Sequence, residues 1–327
     1  MRVLVTGGAG YIGSVTVAVL RERGTDVEIL DDLRTGHREA VPPGTPLHVV
    51  DLLDGDAVAA VLDRGFDAVV HFAAASLVGE SVREPEKYWR NNVAGTLTLA
   101  TAAAAAGVSR FVFSSSAAVY GEPAEVPIPE TAPLAPVNPY GRTKAAMEAL
   151  LADVAAARGL SAVALRYFNA AGAWEGLGED HDPETHLIPR LLRSLLEEGE
   201  TFAVFGDDYP TPDGTCIRDY IHVRDLADAH VAAITAALPS GLTALNLGTG
   251  RGYSVREVVA AAARVTGRTI DPPVQPRRPG DPARLVARCD RAATALGWRP
   301  RYSDLETIVA DAWRWHRRHP RGYARGG

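Results

Sequence analysis

An apolar run, Val3-Leu4-Val5, breaks at Thr6 into closely spaced glycines and then becomes a helical stretch. Gly8, Gly10 and Gly13 fit G-x-G-x-x-G, and Gly7, Gly10 and Gly13 fit the looser G-x-x-G-x-x-G. This order commits the chain to a strand, a tight turn and a helix packed back on the strand. Glycines there let the backbone approach a pyrophosphate, and the helix N-terminus offers it unpaired N–H groups. Val27-Glu28-Ile29-Leu30 reads as the next strand, and Asp31 and Asp32 follow it, about twenty residues after the glycines. A carboxylate at that point accepts from ribose hydroxyls and repels a 2′-phosphate. The expected ligand is therefore NAD rather than NADP, a preference that nearby Arg34 weakens slightly.

Apolar runs recur at Val3–Val5, Val27–Leu30, Leu47–Val50, Ala68–Phe72, Phe111–Phe113 and Ala162–Leu165, separated by helical stretches such as Asp54–Leu62 and Val93–Ala106. This alternation predicts an α/β fold, a doubly wound parallel sheet of the Rossmann type covered on both faces. Ligands of such sheets bind beyond the strands' carboxyl ends. The residues to read for function are thus Asp51-Leu52, Ala73-Ala74, Ser114-Ser115-Ser116 and Tyr167-Phe168-Asn169. The alternation fades near Gly172. We expect a dinucleotide-binding domain over 1–172 and a smaller α/β substrate lobe over 173–327, some of whose elements return to the first domain. In the second lobe the pattern predicts a helix over Leu187–Glu198, a strand over Thr201–Phe205, a helix opening at Ser254 with a Ser254/Glu257 capping box, and a last helix over Leu305–His316.

A formal charge of −6 gives no whole-molecule attraction to nucleic acid or anionic membrane. The basic, aromatic end at Trp313–Arg318 reads as the last turn of a helix, its cations matching the dipole. Two cysteines, Cys216 and Cys289, make neither a disulfide framework nor a zinc site, so a reducing cytoplasm is expected. No signal peptide and no bilayer-spanning run is read.

Tyr140 and Lys144 stand four apart at the start of a helical stretch, hence on one face. A phenol titrates near pH ~10, and an adjacent ammonium with a pyridinium ring would lower it toward a usable general base. Ser114, Ser115 and Ser116 end the fifth run; one can bond a substrate hydroxyl, while others satisfy strand-end backbone groups. His181, Asp182, Glu184 and His186 match no common metal spacing and read as a solvated loop; no metal is expected. Nothing marks Cys216 as a nucleophile, and His71 reads as a packing or hydrogen-bonding residue at a strand end.

Thr6-Gly7-Gly8-Ala9-Gly10-Tyr11-Ile12-Gly13, the serine stretch and Tyr140-x-x-x-Lys144 together resemble the extended short-chain dehydrogenase/reductases. Within them the chain resembles the UDP-glucose 4-epimerase family. The resemblance rests on His71–Ala74, Val78–Val82, Asn91–Val93, Leu165–Asn169 and above all Phe205–Val223, and it runs from Met1 to Tyr323. It implies interconversion of UDP-glucose and UDP-galactose through a transient 4-keto sugar, with tightly held NAD and a homodimer. Tyr140 would be the base, Lys144 would position the nicotinamide ribose and lower the phenol, and Ser116 would assist at the sugar hydroxyl. Gly7, Gly10, Tyr11, Ile12, Gly13, Asp31, Asp32, Asp51, Leu52, Phe72, Ala73, Ala74, Asn91, Ser114 and Tyr167 would line NAD with Tyr140 and Lys144. The substrate would meet Ser116, Tyr140, Asn169, Leu187, Phe205, Arg218, Arg278 and Asp281. Two arginines suit a diphosphate, which favours planar, multiply donating cations.

Five positions bear on the family pattern. Ser76 stands where lysine is common, Ala118 where threonine is common, and Thr185-His186 where Asn-Asn is common. Leu285, at the position that gates the sugar's 2-substituent, is intermediate in bulk. Other readings stay open on sequence: another UDP-sugar 4-epimerase acting on N-acetylhexosamine, uronate or pentose; a nucleotide-sugar 4,6-dehydratase, although Ala117-Ala118 replaces the acidic pair that elimination needs; and a non-catalytic NAD sensor.

Overall fold

The computed structural model describes residues 1–196, 201–278 and 280–323. The first half runs β1 (Arg2–Thr6), α1 (Tyr11–Glu22), β2 (Asp26–Asp31), β3 (Leu47–Val49), α2 (Gly55–Leu62), β4 (Ala68–His71), α3 (Val78–Arg83), α4 (Pro85–Tyr88), α5 (Gly95–Ala105), β5 (Arg110–Ser116), α6 (Pro139–Arg158) and β6 (Ser161–Tyr167). A π-helical turn, Trp89–Ala94, joins α4 to α5. Then come β7 (Asn169–Ala171), α7 (Leu187–Arg193), β8 (Val204–Phe205), β9 (Ile217–His222), α8 (Val223–Thr235), β10 (Gly241–Leu247) and β11 (Gly252–Ser254). The chain ends with α9 (Val255–Thr266), β12 (Val274–Gln275), β13 (Arg284–Leu285), α10 (Asp290–Leu296) and α11 (Leu305–Arg318).

Seven strands form one parallel sheet in the order β10-β6-β5-β4-β1-β2-β3. Alternate side chains split between its faces, as a period of two requires. Val3, Val5, Val112, Val163 and Leu165 join the core under α1 and α8. Leu4, Phe111, Phe113, Ala162 and Ala164 join the core under α2, α5 and α6. The strand order reverses between β1 and β4, and such a switch point opens a ligand crevice. One of the two edge strands, β10, comes from the 173–327 stretch, as does α8, which packs on α1.

The remaining strands build a smaller sheet, β11-β9-β13 with β7 on β9, plus a short β8–β12 pair. A third core, including Leu191, Val258, Ile308 and Val309, joins α7, α9 and α11 to it. Ser254 and Glu257 make both bonds of the capping box, Ser254 Oγ accepting from Glu257 N at 3.1 Å and Ser254 N donating to Glu257 Oε2 at 2.7 Å. The helix expected over Leu187–Glu198 ends at Arg193 and gives way to a turn, and Glu197 and Glu198 lie outside the described residues. The strand expected from Thr201 is confined to Val204–Phe205. Among the described residues no helix is long and apolar enough to cross a membrane.

The segment between β7 and α7 is only in part the solvated loop expected: Asp182, Thr185 and His186 are exposed, but two carboxylates turn inward. The side chains of Glu179 and Glu184 are 5% and 4% exposed. They are buried because His181 and His186 face them, which offsets the cost of removing two carboxylates from water.

Candidate active site

The glycine turn closes on itself through Gly10 N, which donates to Gly7 O at 3.2 Å, and Gly10 caps α1. Gly7 has φ +72°, and a Cβ there would lie 2.5 Å from Ala73 N at the end of β4. A Cβ on Gly13 would lie 2.1 Å from Gly7 O. This is the cradle a pyrophosphate needs: backbone approach on one side, a helix N-terminus on the other. Tyr11 reaches away from the turn and donates from its hydroxyl to Gly172 O at 2.7 Å, while Ile12 packs into the α1 core.

Asp31 ends β2 and is buried, accepting from Ala9 N at 3.0 Å and Leu33 N at 2.9 Å. Burial pushes its carboxyl up and the two backbone bonds oppose that. Arg34 is paired with Asp32 at 3.0 Å and also bonds Asp51. Its charge is thereby neutralised within the chain, so it does not offer the free cation that a 2′-phosphate would seek. Leu52 is buried in the core under α2, and Phe72 lies tilted against His230 with ring centroids 4.6 Å apart. Ala73 N bonds Thr6 O at 3.2 Å, and Ala74 follows, half-buried. Asn91 is half-buried in the π-helical turn; its neighbour Asn92 is pinned to Ala75 and Thr143. Ser76 is exposed. His71 is buried with both ring nitrogens bonded, to Thr6 at 2.7 Å and Thr96 at 2.9 Å, and burial pushes it down to about 3.

Tyr140 sits in the first turn of α6, whose N-cap Asn138 accepts from Gly141 N at 2.8 Å. Its phenol meets Ser116 at the end of β5 and the edge of the Tyr88 ring, with centroids 6.5 Å apart. Lys144 is buried one turn on, its Nζ donating to Ser114 O at 2.8 Å. Ser114 Oγ in turn bonds the Tyr167 hydroxyl. Burial pulls the ammonium down to about 7. Burial raises the phenol and the Ser116 bond lowers it, leaving it above its ordinary value. The expected lowering by Lys144 is therefore not delivered by these groups alone, because the ammonium turns to the Ser114 carbonyl and stands 5.8 Å from the centre of the Tyr140 ring.

The residue that sequence reading missed is Glu148. Tyr140, Lys144 and Glu148 recur every fourth residue along α6, a spacing that could have revealed it. Glu148 is buried, takes a two-pronged bond from Arg166 and accepts from Ser115 Oγ. Arg166 also reaches the Tyr120 hydroxyl at 2.9 Å and Glu130 O at 3.2 Å. This network locks α6 against β5 and β6, and so sets where Tyr140 and Lys144 lie.

Residues 3–248 match the NAD dependent epimerase/dehydratase family. The chain belongs to that family. It is 53% identical over 323 residues to a UDP-glucose 4-epimerase of Streptomyces lividans, covering 98% of this chain and 97% of the relative. It is similar to the crystal structure of UDP-glucose 4-epimerase from Brucella ovis in complex with NAD, with a TM-score of 0.91, 48% identity, and 96% and 97% of the two chains covered. It is similar also to the Bifidobacterium longum enzyme's structure in complex with NAD+ and UDP, with a TM-score of 0.93, 39% identity, and 99% and 100% covered.

Beyond Ser116 and Tyr140, the residues expected to meet the substrate lie on β7, α7, β8 and β9 and on the stretch between β12 and β13. Arg218 on β9 donates to Asp281 Oδ1 at 2.7 Å and to Ile217 O at 2.8 Å. The Arg278 guanidinium carbon lies 4.1 Å from the centre of the Phe205 ring at the end of β8. Asn169 opens β7 opposite Tyr220 of β9, and Leu187 opens α7. Leu285 pairs with Arg218 across β9–β13 and packs with Ala117 and Phe168, between the two halves of the site. Ala118 N donates to Ser116 Oγ at 3.2 Å, so the missing threonine hydroxyl is not replaced there. Cys216 is a buried free thiol whose pKa burial raises, the opposite of what a nucleophile needs.

A test of the cradle follows from Gly13. Crowding by one methyl against a fixed carbonyl costs about 1–3 kcal/mol. Gly13→Ala is expected to weaken NAD binding by roughly tenfold or more. Calorimetric titration of cofactor-stripped protein measures it; an unchanged affinity removes the turn from the cofactor site.

Proposed function

We propose that the chain interconverts UDP-glucose and UDP-galactose at the sugar's C4. The carrying observation is Tyr140, whose phenol faces Ser116 at the carboxyl edge of β5 with Lys144 one turn behind it. Near-full-length identity to UDP-glucose 4-epimerases supports the same reading. Bound NAD+ would supply the hydride acceptor and donor for C4, and its positive ring would favour the phenolate. The glycine turn, Asp31 and Lys144 hold that cofactor. Tyr140 takes the proton of the 4-hydroxyl, with Ser116 bonded to the same oxygen, and a 4-keto sugar results. Arg218 and Arg278 hold the diphosphate while the keto sugar turns over. Tyr140 then returns its proton to the opposite epimer. Net redox change is zero, so the reaction needs no second substrate. Ala117-Ala118 offers no acid–base pair for elimination, which disfavours a dehydratase.

The test is purified protein mixed with UDP-galactose. UDP-glucose should form while a reduced-nicotinamide absorbance appears on the protein. A spectral change without product would make the chain a sensor instead.

The active form is a homodimer. Val78, Val82, Trp89 and Leu97, on α3, the π-helical turn and α5, are exposed apolar side chains on one run of helices. Val82→Glu with Leu97→Glu should halve the mass seen by light scattering, and an unchanged mass would discard this face. Two free thiols support a reducing compartment, the cytoplasm.

A further inference from the structure

Four side chains between β7 and α7 converge without touching the reaction described above. The ligand atoms of Glu179, His181, Glu184 and His186 all lie within 4.8 Å of one another. His181 Nδ1 is 3.2 Å from Glu179 Oε1 and 3.6 Å from Glu184 Oε2. His186 Nδ1 is 3.4 Å from Glu184 Oε1 and 2.6 Å from Glu179 Oε1. An ion with bonds of about 2.0–2.2 Å to four tetrahedral ligands needs edges of roughly 3.3–3.5 Å. With Glu184 Oε2 as the ligand atom, the edges of 3.2 and 3.6 Å are within a few tenths of an ångström of that, and the 2.6 Å edge opens by less than an ångström.

A second observation shows that the cluster is not a finished hydrogen-bond network. Glu184 Oε2 and His181 Nδ1 are buried and have no hydrogen-bond partner. The Glu184 carboxylate is nonetheless held in place, because Oε1 accepts from Thr185 N at 2.7 Å and His186 N at 2.8 Å. That arrangement leaves Oε2 aimed into the cluster, as a metal ligand with backbone support would be. Two carboxylates with two neutral imidazoles balance the charge of a dication.

We propose that Glu179, His181, Glu184 and His186 bind a divalent transition-metal ion, zinc by preference, as a closed four-ligand structural site. Imidazole with carboxylate suits zinc, whereas calcium and magnesium take oxygen-only shells. The partly exposed His186 ring provides the entry path. The ion clamps a loop that meets the cofactor turn through the bond from Tyr11 to Gly172, and whose Asp180 is already held by Arg193 and Tyr323 N, both at 2.9 Å.

The test is titration of the full, chelator-stripped protein with Co2+. One equivalent should bind with the visible bands of four-coordinate cobalt, and Zn2+ should displace it. Glu184→Gln and His181→Ala should each weaken that binding tenfold or more, whereas Cys216→Ser should leave it unchanged. Failure of the unaltered protein to bind one equivalent overturns the proposal without recourse to any variant. So does binding that persists undiminished in a His181→Ala/His186→Ala protein shown by circular dichroism to be folded.

Discussion

Tyr140→Phe is expected to cut epimerase turnover by about a hundredfold or more, the scale on which a positioned acid–base group acts. The substitution removes one oxygen and leaves the ring, so its edge contact with Tyr88 survives. Tyr88 is itself anchored, its hydroxyl donating to Leu77 O at 2.7 Å and Glu80 Oε2 at 2.8 Å. NAD content and UDP affinity should therefore stay close to those of the parent, and kcat should carry the loss. Steady-state assay with UDP-galactose, alongside cofactor quantification, separates the two. Turnover near the parent value would pass the proton-transfer role to another group, for which Ser116 is the nearest candidate.

Glu148→Ala should destabilise the fold by about 3–5 kcal/mol, the usual cost of stranding a buried charge. Arg166 would keep its bonds to Tyr120 and Glu130 O but lose the carboxylate that neutralises it. Both side chains are nearly inaccessible, so water cannot substitute. Replacing the pair together, Glu148→Leu with Arg166→Met, should recover most of the loss, since an apolar pair of similar volume is often tolerated. Urea denaturation of the three proteins decides the matter. A loss below about 1 kcal/mol in the single variant would place the pair among weakly coupled surface contacts.

The fold was legible because its signals are local. Each apolar run of the first half became a strand, and the glycine pattern put α1 behind β1. Elements of the second lobe were harder to read. A strand was legible from Thr201, but its length was not: β8 is two residues long, paired with the two residues of β12 some seventy positions away. In the site, the spacing of Tyr140 and Lys144 was visible, but the direction of the ammonium was not. That direction depends on Ser114 O, brought close by packing of α6 on β5.

Arg34 makes the same point about charge. In the sequence it is a cation near a cofactor pocket; in the fold Asp32 and Asp51 claim it, and Asp51 arrives from another strand end. Glu179 and Glu184 belong to a segment that composition alone assigns to solvent, yet the chain folds them inward against two imidazoles.

What this chain's sequence determined by itself is what short-range sterics and periodicity control: a strand–glycine turn–helix, alternating α/β units, and a phenol and an amine on one helical face. What the tertiary structure decided is which charges meet. Coulomb energy and desolvation depend on distance and burial, and residues far apart in the chain acquire both only when the sheet and its helices close around them.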